Sequence, residues 1–389
     1  MHVARPSIAH ALTLACVLAC SPSRSGEGLP VPRTHDDGGA NVPADSGSAG
    51  TDSGSASILP WAKTPFPAVP APDDNPTTDA KVSLGRLLFY DPIASTDHQV
   101  ACATCHSEVW GMSDGLARSV GHGAGLVAGP GRSGPNVTRR NAPTLWNAAY
   151  LGSAFWDGRA SSLEDQVHFP FEAAEELDTA FDGVITAIAD IPQYAELFRD
   201  AFPEEAEPTT KDTFARAIAA FERTLISDTS LYDAYVDGDA AALSEDELGG
   251  MRLFASEGCV DCHTPPLFSS NRFADRGVAA LAGVPDEGRY EITHDEADRN
   301  AFKVPTLRNV HDTGPYFHTG AVQDFGDAVR HEVAFSVEHD GAAALSAEQT
   351  DALAAFIMKG LFDSQRTPTR PGKVPSGLEV PIDGSSIRR

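Results

Sequence analysis

The segment 102–106 reads Cys-Ala-Thr-Cys-His, and the segment 259–263 reads Cys-Val-Asp-Cys-His. Two cysteines one helical turn apart, followed directly by a histidine, form the pattern through which a c-type haem is attached. Each thiol adds to one vinyl group of the porphyrin, and the histidine binds the iron as its proximal ligand. The sequence therefore predicts two covalently attached haems, held by Cys102, Cys105, His106, Cys259, Cys262 and His263.

A zinc site is the alternative explanation for the two motifs. Such a site would need four ligands from both halves of the chain around one ion. It would also leave the histidine that follows each cysteine pair without a role. Haem is the better interpretation because it uses the cysteines and the histidine of both pentapeptides.

The other two of the six cysteines, Cys16 and Cys20, belong to an N-terminal segment that is mostly apolar from residue 11 to residue 19. An apolar run of this length is typical of a signal peptide and is too short for a stable transmembrane helix. Residues 17–20 read Val-Leu-Ala-Cys, which resembles a bacterial lipobox. We therefore predict a lipoprotein signal peptide over 1–20, with lipidation at Cys20 and transfer to the outer membrane. An ordinary signal peptide cleaved nearby is the alternative.

Residues 21–58 are rich in Ser, Gly, Asp, Ala and Pro and contain few large apolar side chains. Such a segment cannot bury enough surface to offset the entropy of ordering, so it is predicted to be a disordered tether. The whole chain carries 55 acidic and 29 basic residues, a net charge of −26. This charge argues against binding to nucleic acid or to an anionic membrane surface, and it favours a basic protein partner. Contact with a membrane is expected only through the lipid anchor.

Three segments have apolar residues at helical spacing. They are 211–226, with Thr209 or Thr210 as the N-cap, a segment that opens at residues 243–247, and a segment that starts at Ser346. The stretches 121–143 and 264–290 are long and rich in Gly and Pro, and a haem can serve as the core on which such loops pack. The sequence therefore predicts a mainly α protein with two cytochrome c-like haem domains and long loops. The predicted limits are 59–238 and 239–365, followed by a C-terminal tail over 366–389.

Several segments resemble motifs of the bacterial dihaem cytochrome c peroxidases and of their MauG and MbnH relatives. Residues 84–91 read Leu-Gly-Arg-Leu-Leu-Phe-Tyr-Asp, and residues 155–159 read Phe-Trp-Asp-Gly-Arg. The other matching segments are 74–81, 141–145, 221–225, 305–310 and 315–318. They follow one another in the family's order and span most of the chain after the tether.

The resemblance implies roles for residues near the first haem. Trp156 matches the tryptophan that relays electrons between the haems, although a core aromatic is the simpler explanation of a lone tryptophan. Gln166 and Glu176 match the distal glutamine and glutamate beside the peroxide-binding haem, which is then the haem at His106. Asn141, with the backbone of Thr313 and Pro315, matches an inter-domain calcium site, in which oxygen ligands suit a hard cation.

The resemblance also raises the question of the sixth ligand at each iron. His122 matches a histidine that caps the first haem in resting peroxidases, and a polar surface histidine on a glycine-rich loop is the alternative. At the electron-transfer haem of His263, the family position of the distal ligand falls on Glu332, with His331 beside it. The family has methionine there in peroxidases and tyrosine in MauG. The sequence leaves His331 and Glu332 open and predicts that this haem has no methionine ligand.

These expectations lead to two enzymatic functions and one that is not enzymatic. The first is a peroxidase that reduces hydrogen peroxide to water with electrons from a small exported cytochrome c or copper protein. The second is a MauG- or MbnH-like enzyme that uses ferryl haem to oxidise side chains of a partner protein. The third is an electron carrier without turnover, which would not need the acid–base group that Glu176 provides. Export to the periplasmic side of a bacterial membrane is expected for all three.

Overall fold

The computed structural model describes residues 64–366 and 369–384. The predicted signal peptide, with Cys16 and Cys20, and the predicted tether 21–58 lie outside these residues. The described residues belong to one compact unit. None of the helices described in it is long and apolar enough to cross a membrane.

The described part is mainly helical, as the sequence predicts. In chain order the α-helices are α1 (Asp79–Tyr90), α2 (Cys102–Cys105), α3 (Leu163–Gln166), α4 (Phe169–Glu172), α5 (Phe181–Ala189), α6 (Pro192–Ala201), α7 (Lys211–Glu222), α8 (Leu231–Val236), α9 (Glu245–Ser256), α10 (Cys259–Cys262), α11 (Tyr290–Thr293), α12 (Phe325–Phe335) and α13 (Ala347–Ala355).

The other described elements are short. Single 3₁₀ turns cover Pro92–Ala94, Glu108–Trp110, Ala148–Tyr150, Glu296–Asp298 and Val310–Asp312, and π turns extend α12 and α13 over Ser336–Asp340 and Phe356–Gly360. Four two-residue strands are β1 (Val127–Ala128), β2 (Phe273–Ala274), β3 (Phe302–Lys303) and β4 (Ile382–Asp383). Strand β1 pairs in parallel with β4, and β2 pairs antiparallel with β3.

The three helices predicted from apolar spacing are present as α7, α9 and α13. Each begins after a hydroxyl residue, Thr210, Ser244 or Ser346, whose side-chain oxygen accepts a hydrogen bond from a backbone N–H in the first turn. This contact satisfies one of the N–H groups that a helix leaves unpaired at its start. Helix α7 ends at Glu222 rather than at the predicted residue 226.

A first hydrophobic core forms where α1 crosses α7. At the crossing, a Cβ atom on Gly85 would lie 1.9 Å from the carbonyl oxygen of Ala217, so only glycine allows the two backbones to approach this closely. One turn further along, Phe89 packs edge-to-face against Phe221 with ring centroids 5.2 Å apart. Helix α2, which contains the first cysteine pair, packs against this core through Cys102.

A second core repeats this arrangement with α9 and α13. A Cβ atom on Gly250 would lie 2.0 Å from the carbonyl oxygen of Ala352. Phe254 and Phe356 then meet edge-to-face at 5.7 Å. Each core thus has a glycine at the helix crossing and a pair of phenylalanines. In each core, one crossing helix precedes a cysteine motif in the sequence and the other follows it.

The repeat extends into the loops between the helices of each core. Phe155 and Phe317 both have positive φ angles, and a short antiparallel bridge closes the turn that follows each of them. Trp156 and His318 come next in the two copies, so His318 stands in the second copy where Trp156 stands in the first. The repeated architecture therefore brings two equivalent turns, with different side chains, to corresponding places.

The passage between the two cores lies between Leu225 and Tyr232, before the predicted domain limit after residue 238. Leu225 is the last residue of its stretch in the first core, and Tyr232 and Tyr235 of α8 pack in the second core. The predicted limit after residue 238 assigns α8 to the N-terminal domain, and the domain limits stay a prediction.

The described part of the C-terminal tail returns to the first core. Val374 and Val380 are buried there. The Ser376 hydroxyl donates a hydrogen bond to Asp91 Oδ1 at 2.7 Å. Strand β4 then pairs with β1, which places the end of the described chain against the loop after the first cysteine motif. This segment is thus an integral part of the first half of the molecule.

Candidate active site

The first cysteine motif opens onto a cavity of about 420 Å³, which we call the first cavity. Cys102, Cys105 and His106 line it together. Burial raises the pKa of the Cys102 thiol to about 12 and also raises the pKa of Cys105. Both thiols are therefore buried beside this cavity in the neutral form.

The second motif lines a separate cavity of about 950 Å³, the second cavity, through Cys259, Cys262 and His263. The two cysteine pairs therefore face different spaces and do not converge on one ion. Within the described residues no group of three or more His, Cys, Asp or Glu side chains is arranged to hold a metal. This geometry removes the zinc alternative.

The histidine ring of each motif is oriented by a hydrogen bond to a backbone carbonyl a few residues later in the chain. His106 Nδ1 lies 2.9 Å from the carbonyl oxygen of Met112, and His263 Nδ1 lies 3.0 Å from the carbonyl oxygen of Phe268. In both histidines Nδ1 is thus the donor to a backbone carbonyl, and Nε2 is the ring nitrogen that can bind an iron. Burial lowers the pKa of both imidazoles, which favours the neutral form that binds iron. Both sites therefore fit a haem with a proximal histidine.

The two cavities share a wall. Asn141, Ala142, Pro143, Phe155 and Trp156 line both of them. The Trp156 indole donates a hydrogen bond from Nε1 to the Asn141 carbonyl at 2.9 Å, and the Asn141 N–H donates to the His318 carbonyl at 2.8 Å. The Trp156 side chain is therefore held by a hydrogen bond in the wall between the two cavities.

Glu176 and Gln166 both line the first cavity, together with Glu175. Burial raises the pKa of Glu176 above its usual range, opposed by the nearby Arg159 guanidinium and reinforced by Glu175. A carboxyl group with a raised pKa keeps its proton more readily than a free one, so it can donate as well as accept a proton. Glu172, another acidic residue of the same stretch, is exposed and is not among the residues that line the cavity.

His122 lies outside the described lining of the first cavity. Its Nε2 atom is 3.0 Å from the Ala174 carbonyl oxygen and 2.8 Å from Asn136 Nδ2, and Asp178 Oδ2 is 3.5 Å away. The surrounding loop is held by Arg132, whose guanidinium donates to four backbone carbonyls between residues 120 and 127. The structure therefore does not bring His122 together with His106.

The structure distinguishes between the two candidate distal ligands of the second haem, His331 and Glu332, which are neighbours on α12. Glu332 lines the cavity and forms an ion pair with Arg276 at 2.8 Å. His331 is not among the described residues that line the cavity. Its Nε2 atom lies 2.8 Å from the Arg276 carbonyl oxygen, and its ring packs against Phe317. Among the described methionines, Met112 packs in the first core, and Met251 and Met358 pack in or against the second.

The residues suggested for calcium have other contacts. Asn141 Nδ2 donates to the Leu116 carbonyl at 2.7 Å. Thr313 and Pro315 line the second cavity on the side of the shared wall. No described contact gathers their oxygen atoms around one point.

Three buried polar residues of the cavities are missing from the sequence-based predictions. Glu222 lines the first cavity, is 3% exposed, and has an Oε2 atom without a hydrogen-bond partner in the described structure; burial raises the pKa of this carboxyl to about 8. Its position four residues after Ile218, on the apolar face of α7, was the available signal. Lys303 and His318 line the second cavity, inside or beside motifs that the sequence already presents.

Comparison with known proteins gives a consistent result. Residues 79–241 match the family model described as di-haem cytochrome c peroxidase. The chain is 35% identical over 259 residues to the cytochrome c551 peroxidase of Pseudomonas aeruginosa, covering 65% of this chain and 72% of the relative. It is 38% identical over 268 residues to the methylamine utilization protein MauG of Methylorubrum extorquens, covering 68% and 72% respectively.

A solved structure of a MauG-like protein associated with microbial copper homeostasis is similar over 81% of this chain and 97% of its own, with a TM-score of 0.66 and 26% identity. The diheme peroxidase BthA of Burkholderia thailandensis, at 21% identity and a TM-score of 0.63, shares the fold. The family implies two c-type haems, which agrees with the two cysteine motifs and their cavities. The chain belongs to the di-haem cytochrome c peroxidase family of oxidoreductases, in which peroxidases and MauG proteins both occur.

Proposed function

We propose that the protein is a dihaem c-type peroxidase that reduces hydrogen peroxide to water with electrons from a small exported redox protein. The observation that carries the proposal is the shared wall at Trp156 between two cavities, each with its own Cys-x-x-Cys-His motif. One cavity also contains a carboxyl group with a raised pKa, Glu176, whereas an electron carrier needs no such group.

In this proposal each cavity holds one haem through two thioether bonds, with His106 and His263 as proximal ligands through Nε2. When bound, the first haem supplies an iron that takes up peroxide and accepts oxidising equivalents from it. The hydrogen bonds from Nδ1 of both histidines to backbone carbonyls keep the rings in the ligating orientation. Because His122 is held outside the first cavity, we assign it no part in the reaction described here.

The protein supplies the proton transfer. Glu176 takes the proton from the near oxygen of peroxide and returns it to the far oxygen, so that the O–O bond breaks with water as the leaving group. Gln166 lies in the same cavity and is suited to hold the peroxide by hydrogen bonding. Two electrons and two protons per peroxide complete its conversion to two water molecules.

Trp156 connects the two sites in this scheme. Its indole lies in the shared wall, and its hydrogen bond to Asn141 holds the ring in one orientation. A rigid aromatic side chain between the cavities shortens the distance over which an electron must pass. Electrons would enter at the second haem and reach the first through this side chain.

The partner and location follow from the sequence. The net charge of −26 suits a basic electron donor, such as a small exported cytochrome c or copper protein. The lipobox ending at Cys20 supports anchoring to the periplasmic side of a bacterial membrane, most simply the outer membrane. The calcium site at Asn141, Thr313 and Pro315 stays a prediction from the family resemblance, because the described side-chain contact of Asn141 uses its amide nitrogen and not its oxygen.

Turnover with a defined donor tests the proposal. We expect the purified protein to contain two haems by pyridine haemochrome assay and to oxidise two molecules of a reduced small cytochrome c for each hydrogen peroxide. The double variant Cys102→Ala with Cys105→Ala should retain one haem and lose this turnover, because it lacks the peroxide-binding site. Retention of both haems in that variant, or peroxide consumption that is independent of donor, would refute the assignment.

A second candidate function is favoured by one observation at the second cavity. A MauG-like enzyme uses the same haem chemistry to oxidise side chains of a partner protein, and Glu332, rather than a methionine, faces this cavity. An anionic oxygen ligand stabilises oxidised iron more than a thioether does, which suits a site that stores an oxidising equivalent. The similarity to MauG and to the MauG-like structure supports keeping this candidate.

Spectra of the oxidised protein test the ligand at the second haem. We expect no weak far-red absorption band of methionine ligation, because the described methionines are packed in the cores. Glu332→Ala should change the electron paramagnetic resonance signal of the second haem, whereas His331→Ala, which alters a side chain outside the described lining of this cavity, should leave it unchanged. A far-red methionine band, or a response to His331→Ala alone, would contradict this expectation.

A further inference from the structure

Two polar side chains in the second cavity are buried without partners. Lys303 is 5% exposed, and its Nζ atom has no hydrogen-bond partner among the described residues. His318 is 3% exposed, and its Nε2 atom also has no hydrogen-bond partner among the described residues. Both residues line the second cavity. A buried ammonium group that lacks an anionic partner is strongly unfavourable, so a site of this kind points to a ligand that supplies the missing charge.

Two carboxylates near this pair, Asp157 and Asp286, are already paired with arginines. Asp157 is bound by Arg140 at 2.6 Å and by Arg159 at 2.9 Å. Asp286 is bound by Arg140 at 2.6 Å. The charged groups that act on Lys303 are Asp157 and Arg289, and those that act on His318 are Asp286, Arg140, Arg139 and Asp275. The cation–π contact described for Lys303 Nζ, with the Phe273 ring at 5.8 Å, lies near the outer limit of such contacts and supplies no negative charge.

Both side chains are held in place beside Trp156. The Lys303 backbone N–H donates to the Trp156 carbonyl at 2.7 Å, and strand β3 pairs with β2 at this residue. The His318 ring stacks on Phe302 with centroids 3.5 Å apart and meets the Trp156 ring edge-on at 6.3 Å. The Lys303 backbone and the His318 ring are thus fixed beside the shared wall. Two unpartnered nitrogen atoms on positioned residues at one edge of a cavity form the arrangement of a preformed binding site.

We propose that Lys303 and His318 form a carboxylate-binding subsite that receives a propionate group of the haem attached at Cys259 and Cys262. The two thioether bonds fix the vinyl edge of the porphyrin, and its propionates lie on the opposite edge, away from the cysteines. An ammonium group and an imidazole N–H are suitable donors to a carboxylate. The proposal rests on the proposed assignment of a haem to the second cavity and adds the residues that recognise its acidic edge.

The subsite has a consequence for the redox behaviour of this haem. A positive charge near the porphyrin favours the ferrous state over the ferric state, because the ferrous site carries one positive charge less. The same charge keeps the propionate ionised down to low pH. Lys303 therefore raises the reduction potential of the second haem and makes that potential independent of pH in the mildly acidic range. Its place beside Trp156 puts this control at the point where electrons cross between the haems.

The test compares Lys303→Met and Lys303→Arg with Lys359→Met, a matched change of charge at an exposed lysine in the same half of the molecule. The midpoint potential of the second haem is measured by spectroelectrochemistry from pH 5 to 8 on protein whose haem content has been determined. Lys303→Met should lower the potential and introduce a pH-dependent step, since the propionate then takes up a proton. Lys303→Arg and Lys359→Met should keep the flat wild-type profile.

A second variant covers the case in which Lys303→Met does not fold. His318→Phe preserves the stack on Phe302 but removes the ring nitrogen, and it should introduce the same pH-dependent step with smaller amplitude. Wild-type potentials and profiles in the folded variants, with both haems attached, would overturn the subsite alone. Absence of the second haem from the wild-type protein would overturn the proposed function together with the subsite. Acetate should leave the wild-type potential unchanged, and a saturable shift would mean that a free carboxylate is the ligand and would overturn the proposal.

Discussion

Replacing Glu176 with glutamine is expected to slow the reaction of the protein with hydrogen peroxide by roughly 10²–10⁴-fold, the range typical of general acid–base catalysis. Glutamine keeps the shape of the side chain but cannot take a proton from one peroxide oxygen and return it to the other. Burial already raises the pKa of this carboxyl, so the wild-type group is poised to exchange a proton in the cavity. The rate is measured by stopped-flow mixing with peroxide under single-turnover conditions.

The matched control is Glu172→Gln, which makes the same change at an exposed position in the same stretch of chain. It should react at the wild-type rate. Both variants should retain two haems and wild-type absorption spectra, since neither residue belongs to a haem attachment motif. A wild-type rate in Glu176→Gln would transfer the acid–base role to Glu175, which lines the same cavity.

The second large effect is expected at the helix crossing of the second core. A Cβ atom in Gly250→Ala would lie 2.0 Å from the Ala352 carbonyl oxygen and 2.8 Å from Phe356 Cβ, so helices α9 and α13 must separate. Overpacking of this kind lowers the free energy of unfolding by about 1–3 kcal/mol, and by more when backbone atoms collide. The unfolding free energy is measured by denaturant titration of the haem-loaded protein, followed by circular dichroism.

The neighbouring glycine in the same helix is the control. A Cβ atom on Gly249 would have no atom within 4 Å, so Gly249→Ala introduces no collision. Alanine is favoured over glycine inside a helix by roughly 0.5–1 kcal/mol, so this variant should be slightly more stable than wild type. Opposite signs at adjacent positions would identify the crossing as the cause. Similar losses at both positions would mean that the helix itself, rather than its contact with α13, is sensitive.

Local rules are sufficient for the helices and for the attachment motifs. The hydroxyl residues Thr210, Ser244 and Ser346 precede apolar repeats, and all of them cap helices in the structure. The Cys-x-x-Cys-His motifs are equally local, because both thiols and the imidazole lie within five residues of the chain. These features follow from sequence because each depends only on neighbouring residues.

Which side chains line the cavities depends on contacts between distant parts of the chain, so it is harder to predict from sequence. Whether His331 or Glu332 faces the second cavity depends on the rotation of α12, which packing against other elements decides. His122 has a family-like position in sequence, yet contacts with Ala174 and Asn136 hold it elsewhere. Lys303 looks like an ordinary strand residue until the fold buries its amine beside the shared wall.

The return of residues 369–384 to the first core has a consequence for the biogenesis of the molecule. A chain emerges from its N-terminus, so the first cysteine motif appears long before Val374 and Val380, which complete the packing around it. The second half is complete in sequence before the first half can close. Cys102 and Cys105 thus pass through a long period in which their surroundings are unfinished, when an attachment enzyme has the easiest access to both thiols. Packing of residues 369–384 on the first core would then follow the synthesis of both cysteine motifs.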